Sequence, residues 1–241
     1  MNKLCVVLIC CLLSGCAGVQ FVQFDRTKSA PRSIALVSVV QPKKISVVNM
    51  GGAAGAFGLV GGLVQAGINE DNSNTYTDMA KKNNVSFSEM VTSSLSKQLE
   101  AKGYAVILAN DVTVPLTVDE KDFDYSSITV KTDAILHVWY TVNGYISPPN
   151  STSYQPWIVI NARFIDGKSK AKLYIRTLMT CGWPYKNKDE TKVEAVVACG
   201  EKYRYSSFDD LTNNFQQSVE GLRDCIQQIA AQIAEDITPG H

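Results

Sequence analysis

The side chains here whose type and spacing could do chemistry are thiols. Seven cysteines fall into two groups: Cys5, Cys10, Cys11 and Cys16 near the start, and Cys181, Cys199 and Cys225 in the last third. No Cys-x-x-Cys pair occurs, so neither a redox dithiol nor a zinc site is encoded. Two histidines, His137 and His241, are few for a histidine-based hydrolase or a metal enzyme. Gly-x-Ser-x-Gly, His-Glu-x-x-His and phosphate-loop spacings are missing as well. His137 alternates with Leu136 and Val138 along an apolar run and reads as structural. Asp209-Asp210 reads as a helix cap, and the carboxylates from Asp119 to Asp124 as a solvated loop. The expectation is a chain with no catalytic residues, no metal and no cofactor.

Cys16 stands in a different setting. Lys3 precedes an apolar run from Leu4 to Leu13, followed by Ser14, Gly15 and Cys16. A cationic start, about ten apolar residues and small residues before a cleavage point are the marks of a secretory signal. The run is too short to cross a bilayer, which takes roughly 20 residues. Leu13-Ser14-Gly15-Cys16 resembles the bacterial lipobox, in which the thiol is acylated and becomes the first residue of the mature chain. That resemblance implies residues 1–15 as signal peptide, palmitate-type acyl chains on Cys16 and a membrane anchor. More than one chain is needed for stable anchoring. Ala17, where aspartate would retain the protein at the inner membrane, implies the outer membrane with the domain facing the periplasm.

Charge is balanced, with 23 cationic and 23 anionic side chains, and loss of Lys3 leaves the mature chain near −1. No basic stripe is present, so nucleic acid is not expected as a partner. With 241 residues there is chain enough for one sizeable core. Export would put Cys181, Cys199 and Cys225 in an oxidising compartment. Three thiols allow three pairings. Strands inferred at 171–180 and 201–206, if antiparallel, would bring Cys181 opposite Cys199. This favours that pair, with Cys225 a buried thiol beside the last helix.

The elements that must position these residues begin after a polar tether, 16–32. Ser33 to Val40 reads as a strand. From Ile45 to Asn69 there follow 25 residues without a charge, rich in glycine. Ala54, Gly58, Gly62 and Ala66 recur every four residues and would line one side-chain-poor stripe of a helix, where another helix can approach closely. Three readings stay open for this insertion, 45–69: membrane contact or helix self-association, a flexible loop, and a buried soluble helix. Residues 69–84 read as a polar loop. Ser86 to Glu89 is a capping box for a helix carrying Phe87, Val91, Leu95 and Leu99, ending at Gly103. Strands are expected at 104–109, 133–142, 154–165, 171–180 and 201–206. Ser207 would cap a final helix with a stripe from Leu211 to Ile237. Tyr145, Tyr154 and Trp157, and Trp183 and Tyr185, fall in proline-stiffened aromatic loops that could bind partners or fold back on the sheet.

Helices on one face of a mostly antiparallel sheet make an α+β layer over 33–241, with two amphipathic helices and the glycine-rich segment. Leu99-Glu-Ala-Lys-Gly-Tyr104-Ala-Val, Asp133-Ala-Ile-Leu-His-Val-Trp-Tyr140 and Ile160-Asn-Ala-Arg-Phe-Ile-Asp-Gly-Lys168 resemble small periplasmic lipoproteins. That group includes the curli-secretion pore lipoprotein family and proteins similar to the TolB amino-terminal domain. The resemblance implies a non-enzymatic envelope scaffold or assembly subunit, a homo-oligomer in contact with other envelope proteins. Its alternative is a subunit of a membrane-inserted channel or secretion conduit, although the glycine segment lacks the alternation of a barrel strand.

Replacing Cys16 with alanine is expected to abolish metabolic palmitate labelling and release the protein from membranes. Unchanged labelling would contradict the acylation site.

Overall fold

Apolar, β-branched runs build a sheet whose centre is buried on both faces. The computed structural model describes residues 21–25, 27, 30–51, 58–120, 122–149, 151, 153–180, 194–197 and 201–238. Its strands are β1 (Ser33–Val37), β2 (Ser46–Asn49), β3 (Ala105–Ala109), β4 (Ala134–Ser147), β5 (Gln155–Asp166), β6 (Lys172–Thr180) and β7 (Glu194–Val197). Its helices are α1 (Gly58–Lys82), α2 (Phe87–Ala101), α3 (Phe208–Asn213) and α4 (Phe215–Ile237). The sheet order is β3-β1-β4-β5-β6-β7, and β2 pairs with β4 beyond the end of β1.

The sheet is mixed, not mostly antiparallel. β4–β5 and β5–β6 are antiparallel hairpins. β1–β3, β1–β4, β2–β4 and β6–β7 are parallel. The correction has a plain cause. Helices α1 and α2 lie between β1 and β3, and a helical crossover returns the chain in the same direction. Residues 201–206, expected as a strand, instead form a 3₁₀ turn at Glu201–Tyr203 and one bridge, Tyr205 to Tyr154.

Helices α2 and α4 pack on one face, as their stripes demand. Ser86 Oγ accepts from the Glu89 amide at 3.3 Å, and Phe87, Val91, Leu95 and Leu99 are buried. Gly103 follows in the left-handed region at φ +90. Ser207 caps only the short α3, and Asn214 interrupts the helix before α4. From α4, Phe215, Val219, Leu222, Ile226, Ile229, Ile233 and Ile237 enter the same core as Leu36, Leu136 and Phe164. On the other face the connection 110–132 folds over the sheet. Val114, Tyr125 and Ile128 pack there on Val37, Ile135 and Ile165.

Two stretches read as loop or tether are held in place. Residues 69–82 continue α1 as helix. Along the edge of β2 that faces away from β4, the Ile45, Val47 and Asn49 amides donate to Thr77 Oγ1, Ser73 Oγ and Asn69 Oδ1, each at 2.9 Å. The spacing matches because four helical residues rise about 6 Å and two strand residues about 6.6 Å. A hydroxyl suits the task, since it accepts from the strand while donating along its own helix. Ser73 donates to the Asn69 carbonyl at 2.7 Å and Thr77 to the Ser73 carbonyl at 2.6 Å. The helix thus stands where a strand would.

The second stretch is the expected tether. The Val22 amide donates to the Ile175 carbonyl at 3.0 Å and the Val22 carbonyl accepts from the Ile175 amide at 2.9 Å, an antiparallel bridge on the outer edge of β6. Phe24 is buried edge-on against Phe164, with ring centroids 5.6 Å apart. Burying such a ring stabilises by roughly 2 kcal/mol, enough to fix a short segment.

Ser73→Ala leaves the Val47 amide buried without its acceptor and is expected to cost about 1–3 kcal/mol. Ser96→Ala, on the exposed face of α2, should stay within about 0.5 kcal/mol. Urea denaturation of both variants checks the pair.

Candidate functional site

Three groups of residues expected to carry function lie outside the described residues: Cys16, the pair Cys181 and Cys199 with Trp183 and Tyr185 between them, and Ala54. The antiparallel pairing invoked for Cys181–Cys199 is not what forms; β6 and β7 run parallel, with Thr180 opposite Val197. Cys225 is buried in α4, hydrogen-bonded to Thr180, and burial pushes its thiol up to about 11.

Three of the aromatic residues expected in loops, Tyr145, Tyr154 and Trp157, lie in or beside strands. Tyr145 is inside β4 and fully buried, and Tyr154 is 3% exposed beside the start of β5. Trp157 is half-buried within β5. Tyr145 donates to the Ser218 carbonyl at 2.8 Å, and Tyr76 of α1 shares a 2.6 Å hydrogen bond with Ser218 Oγ. Their rings, with Phe215 and Tyr205, make one continuous aromatic cluster. Burial holds the Tyr76 and Tyr145 hydroxyls protonated far above the ordinary tyrosine range. These rings tie α1 and α4 to the sheet.

His137 likewise serves the fold. It is 7% exposed, its Nδ1 lies 2.9 Å from the Tyr125 hydroxyl, and its ring packs edge-on against Phe123. Burial first, and the Arg163 charge second, lower its pKa to about 4. The Arg163 guanidinium sits over Phe123 and Trp139, 5.5 and 5.2 Å from the ring centroids, and pairs with Asp122. Burial alone would raise the Asp122 carboxyl. Hydrogen bonds from Lys172, the Phe123 amide and Arg163, together with the Arg163 charge, outweigh it and leave the group at about 2. The cluster pins the connection 110–132 to the sheet. Among the described residues no group of three or more His, Cys, Asp or Glu could hold a metal ion.

Among the described residues, exposed apolar side chains gather on two surfaces, with Phe21, Val40, Leu116 and Val118 exposed elsewhere. The first is β3, an edge strand. The run Tyr104-Ala-Val-Ile-Leu-Ala109 carries no charge, and Ile107 and Leu108 are 55% and 47% exposed. Beside it a groove of about 630 Å³ runs along α2, lined by Ser88, Thr92, Ser96, Lys97, Glu100 and Leu108. The second is the amino-terminal part of α1. Val64, Ala66, Gly67 and Ile68 are all exposed, and Met50 is exposed at the end of β2. Gly58 and Gly62 lie on the same helix. No described helix is long and apolar enough to cross a membrane.

No family model matches the chain, and no curated protein does. Solved structures give distant likenesses. The PelC dodecamer from Paraburkholderia phytofirmans aligns at 13% identity and a TM-score of 0.39, covering 93% of this chain and 99% of that one. Protein XCC0632 of the DUF330 family from Xanthomonas campestris aligns at 10% identity and a TM-score of 0.44, covering 92% and 93%. Lipoprotein GNA1162 from Neisseria meningitidis aligns at 15% identity and a TM-score of 0.29, covering 62% and 81%.

The sequence reading missed the polar ladder of α1, although Asn69, Ser73 and Thr77 repeat every four residues. It also missed Val22 and Phe24, the apolar pair inside a polar tether.

Because His137 is neutral when buried, its contribution is intact above its ordinary pKa of about 6.5 and is lost as pH falls through about 4. The shift corresponds to about 3 kcal/mol. His137→Gln is expected to flatten the stability profile between pH 6.5 and 4. Equal slopes in urea titrations of both proteins across that window would contradict the assignment.

Proposed function

We propose that this chain is a non-enzymatic lipoprotein of the cell envelope, held at the outer membrane by acyl chains on Cys16 with its domain in the periplasm. It works as a scaffold or assembly subunit through contacts with the membrane, with other envelope proteins and with copies of itself. The single observation that carries the contact role is the β3 edge. An uncharged strand with free backbone groups on its outer side is a template for pairing with another chain. Natural edges are blunted by lysine, proline or a bulge. β3 has neither a lysine nor a proline and keeps an unbroken register with β1. The groove beside it gives an added strand or loop somewhere to rest.

The oxidising compartment in this reading also allows a Cys181–Cys199 disulfide. Thr180, which precedes Cys181, lies opposite Val197, two residues before Cys199. Closure of that loop would stabilise by roughly 3 kcal/mol on a chain-entropy model.

Introducing lysine at both Ile107 and Leu108 is expected to shift the acylated protein from an oligomer to smaller species on blue-native electrophoresis. Its melting temperature should change little, because both side chains are already exposed. Wild-type protein that runs as a monomer, and gives no crosslinked product in cells, would contradict the assembly role. Conductance by detergent-resistant rings would move the reading to a channel subunit.

A further inference from the structure

We propose that a cavity on the edge of β4 between β1 and β2 binds a small hydroxylated anion, a sugar acid or a sugar phosphate, in contact with Asn143. This adds a ligand to the contact role of the domain, and it depends neither on Cys16 nor on the β3 edge.

The cavity comes from a mismatch of length. β1 and β2 pair in turn with the same edge of β4, with Leu36 opposite Leu136 and Ser46 opposite Gly144. Ten residue steps on one side therefore match eight on the other, and the connection 38–45 bows away from β4. The bow is held from outside at two points. Gln41 Oε1 accepts from the Ser88 amide at 2.9 Å, at the start of α2, and Lys44 pairs with Glu70 of α1 at 2.5 Å. At the far end β2 closes on β4 so tightly that a Cβ on Gly144 would come 1.8 Å from the Ser46 carbonyl. Between the bow and the strand lies a cavity of about 320 Å³, within the range of small-molecule sites.

At the same level the other edge of β4 is irregular too. Its pairing with β5 steps from Tyr140 to Val142 and leaves Thr141 as an extra residue. Bulges of this kind re-aim side chains and gather next to functional sites. Trp139, Tyr140, Thr141 and Asn143 line the cavity from β4. The Trp139 ring is held by Phe123 and His137, with centroids 4.8 and 4.9 Å away, and the Tyr140 hydroxyl donates to the Phe87 carbonyl at 3.1 Å. Asn143 differs from both. It is 2% exposed, and neither its Nδ2 nor its Oδ1 has a hydrogen-bond partner among the described residues. A buried amide left in that state weakens the fold, so its place in a native chain needs a reason. In a cavity wall the reason is a ligand that both gives and takes hydrogen bonds.

The chemistry of the wall names the class of that ligand. Lys43 and Lys44 line the cavity, and no carboxylate does among its described lining residues, which favours an anionic group. Gln41, Ser46, Thr141 and Asn143 supply amides and hydroxyls, the complement of a molecule carrying several hydroxyls. The rings of Trp139 and Tyr140 add apolar area for the carbon face of a sugar. An extended peptide has no lane here, because the bow itself runs along that edge of β4.

The test uses the full-length protein labelled with fluorotryptophan, in which Trp139→Phe identifies the Trp139 line by fluorine NMR. Glucuronate and glucose-6-phosphate are expected to move that line saturably, beyond the effect of sodium chloride at equal ionic strength. Whichever of the two binds more tightly tells whether the anionic group is a carboxylate or a phosphate. Glucose should bind several-fold more weakly, and Lys43→Ala should remove most of that difference. Asn143→Leu should weaken binding of both acids on the order of tenfold. Its urea midpoint without them should not fall, because an unpartnered amide has no hydrogen bond to lose. A Trp139 line that follows sodium chloride alone would overturn the proposal, and so would glucose binding as tightly as the acids. A lower urea midpoint for Asn143→Leu would give the amide a role in the fold and remove it from the site. A shift caused by trialanine and not by the sugars would assign the cavity to a peptide and also overturn the proposal.

Discussion

The backbone amides on one edge of β2 must find acceptors, and the way they do so sets the shape of the molecule. A buried amide without a partner costs as much as a lost hydrogen bond. Here the missing neighbour strand is replaced by three side chains of α1, placed every four residues and matched to every second strand residue. Because Ser73 and Thr77 also donate back along their own helix, no polar atom of the ladder is left over. The ladder fixes both the position and the direction of α1. Tyr76, one residue before Thr77, then reaches Ser218 of α4 and carries the same constraint into the helical layer. The protrusion of α1 beyond the sheet is a consequence of that register and not of any preference of the glycines for helix, which they disfavour.

The two faces of the sheet are closed by different means. The helical face is an ordinary apolar core, filled by the stripes of α2 and α4. The other face near the start of β4 is closed by an irregular connection. Irregular backbone gives few regular hydrogen bonds, and side-chain chemistry supplies the hold. Asp122 bridges Arg163 and Lys172, Arg163 lies over two aromatic rings, and His137 meets Tyr125. The titratable groups with displaced pKa values in this region thus mark a clamp, with Asp122 kept charged and His137 kept neutral.

Much of the fold was legible in the sequence where a period or a cap was strong. The Ser86 capping box, the Phe87–Leu99 stripe and Gly103 define α2, and the long stripe ending at Ile237 defines α4, because each places one apolar residue per turn. Gly167 after β5 answers a tertiary demand, since a Cβ there would come 2.3 Å from the Thr132 carbonyl. Residues 69–82 were not readable as helix, since Asn, Ser and Thr usually favour loops and their partners here lie some 20 to 32 residues away in sequence. Parallel pairing was signalled by strand–helix–strand order and overlooked in favour of the hairpins. Tyr145 and Tyr154 were misplaced because proline neighbours suggested loops, whereas the bulge between Tyr140 and Val142 lets β4 run on to Ser147. The N-terminal dock was hidden by two apolar residues in a polar stretch, whose meaning depends entirely on a free edge of β6.

The account stands on α1 taking the place of a strand beside β2, held there by the side chains of Asn69, Ser73 and Thr77. Hydrogen–deuterium exchange compares the wild-type protein with a Ser73→Ala, Thr77→Ala form. The amides of Ile45 and Val47 should be protected in the first and should exchange faster in the second. Equal exchange of Ile45 and Val47 in the two proteins would contradict it.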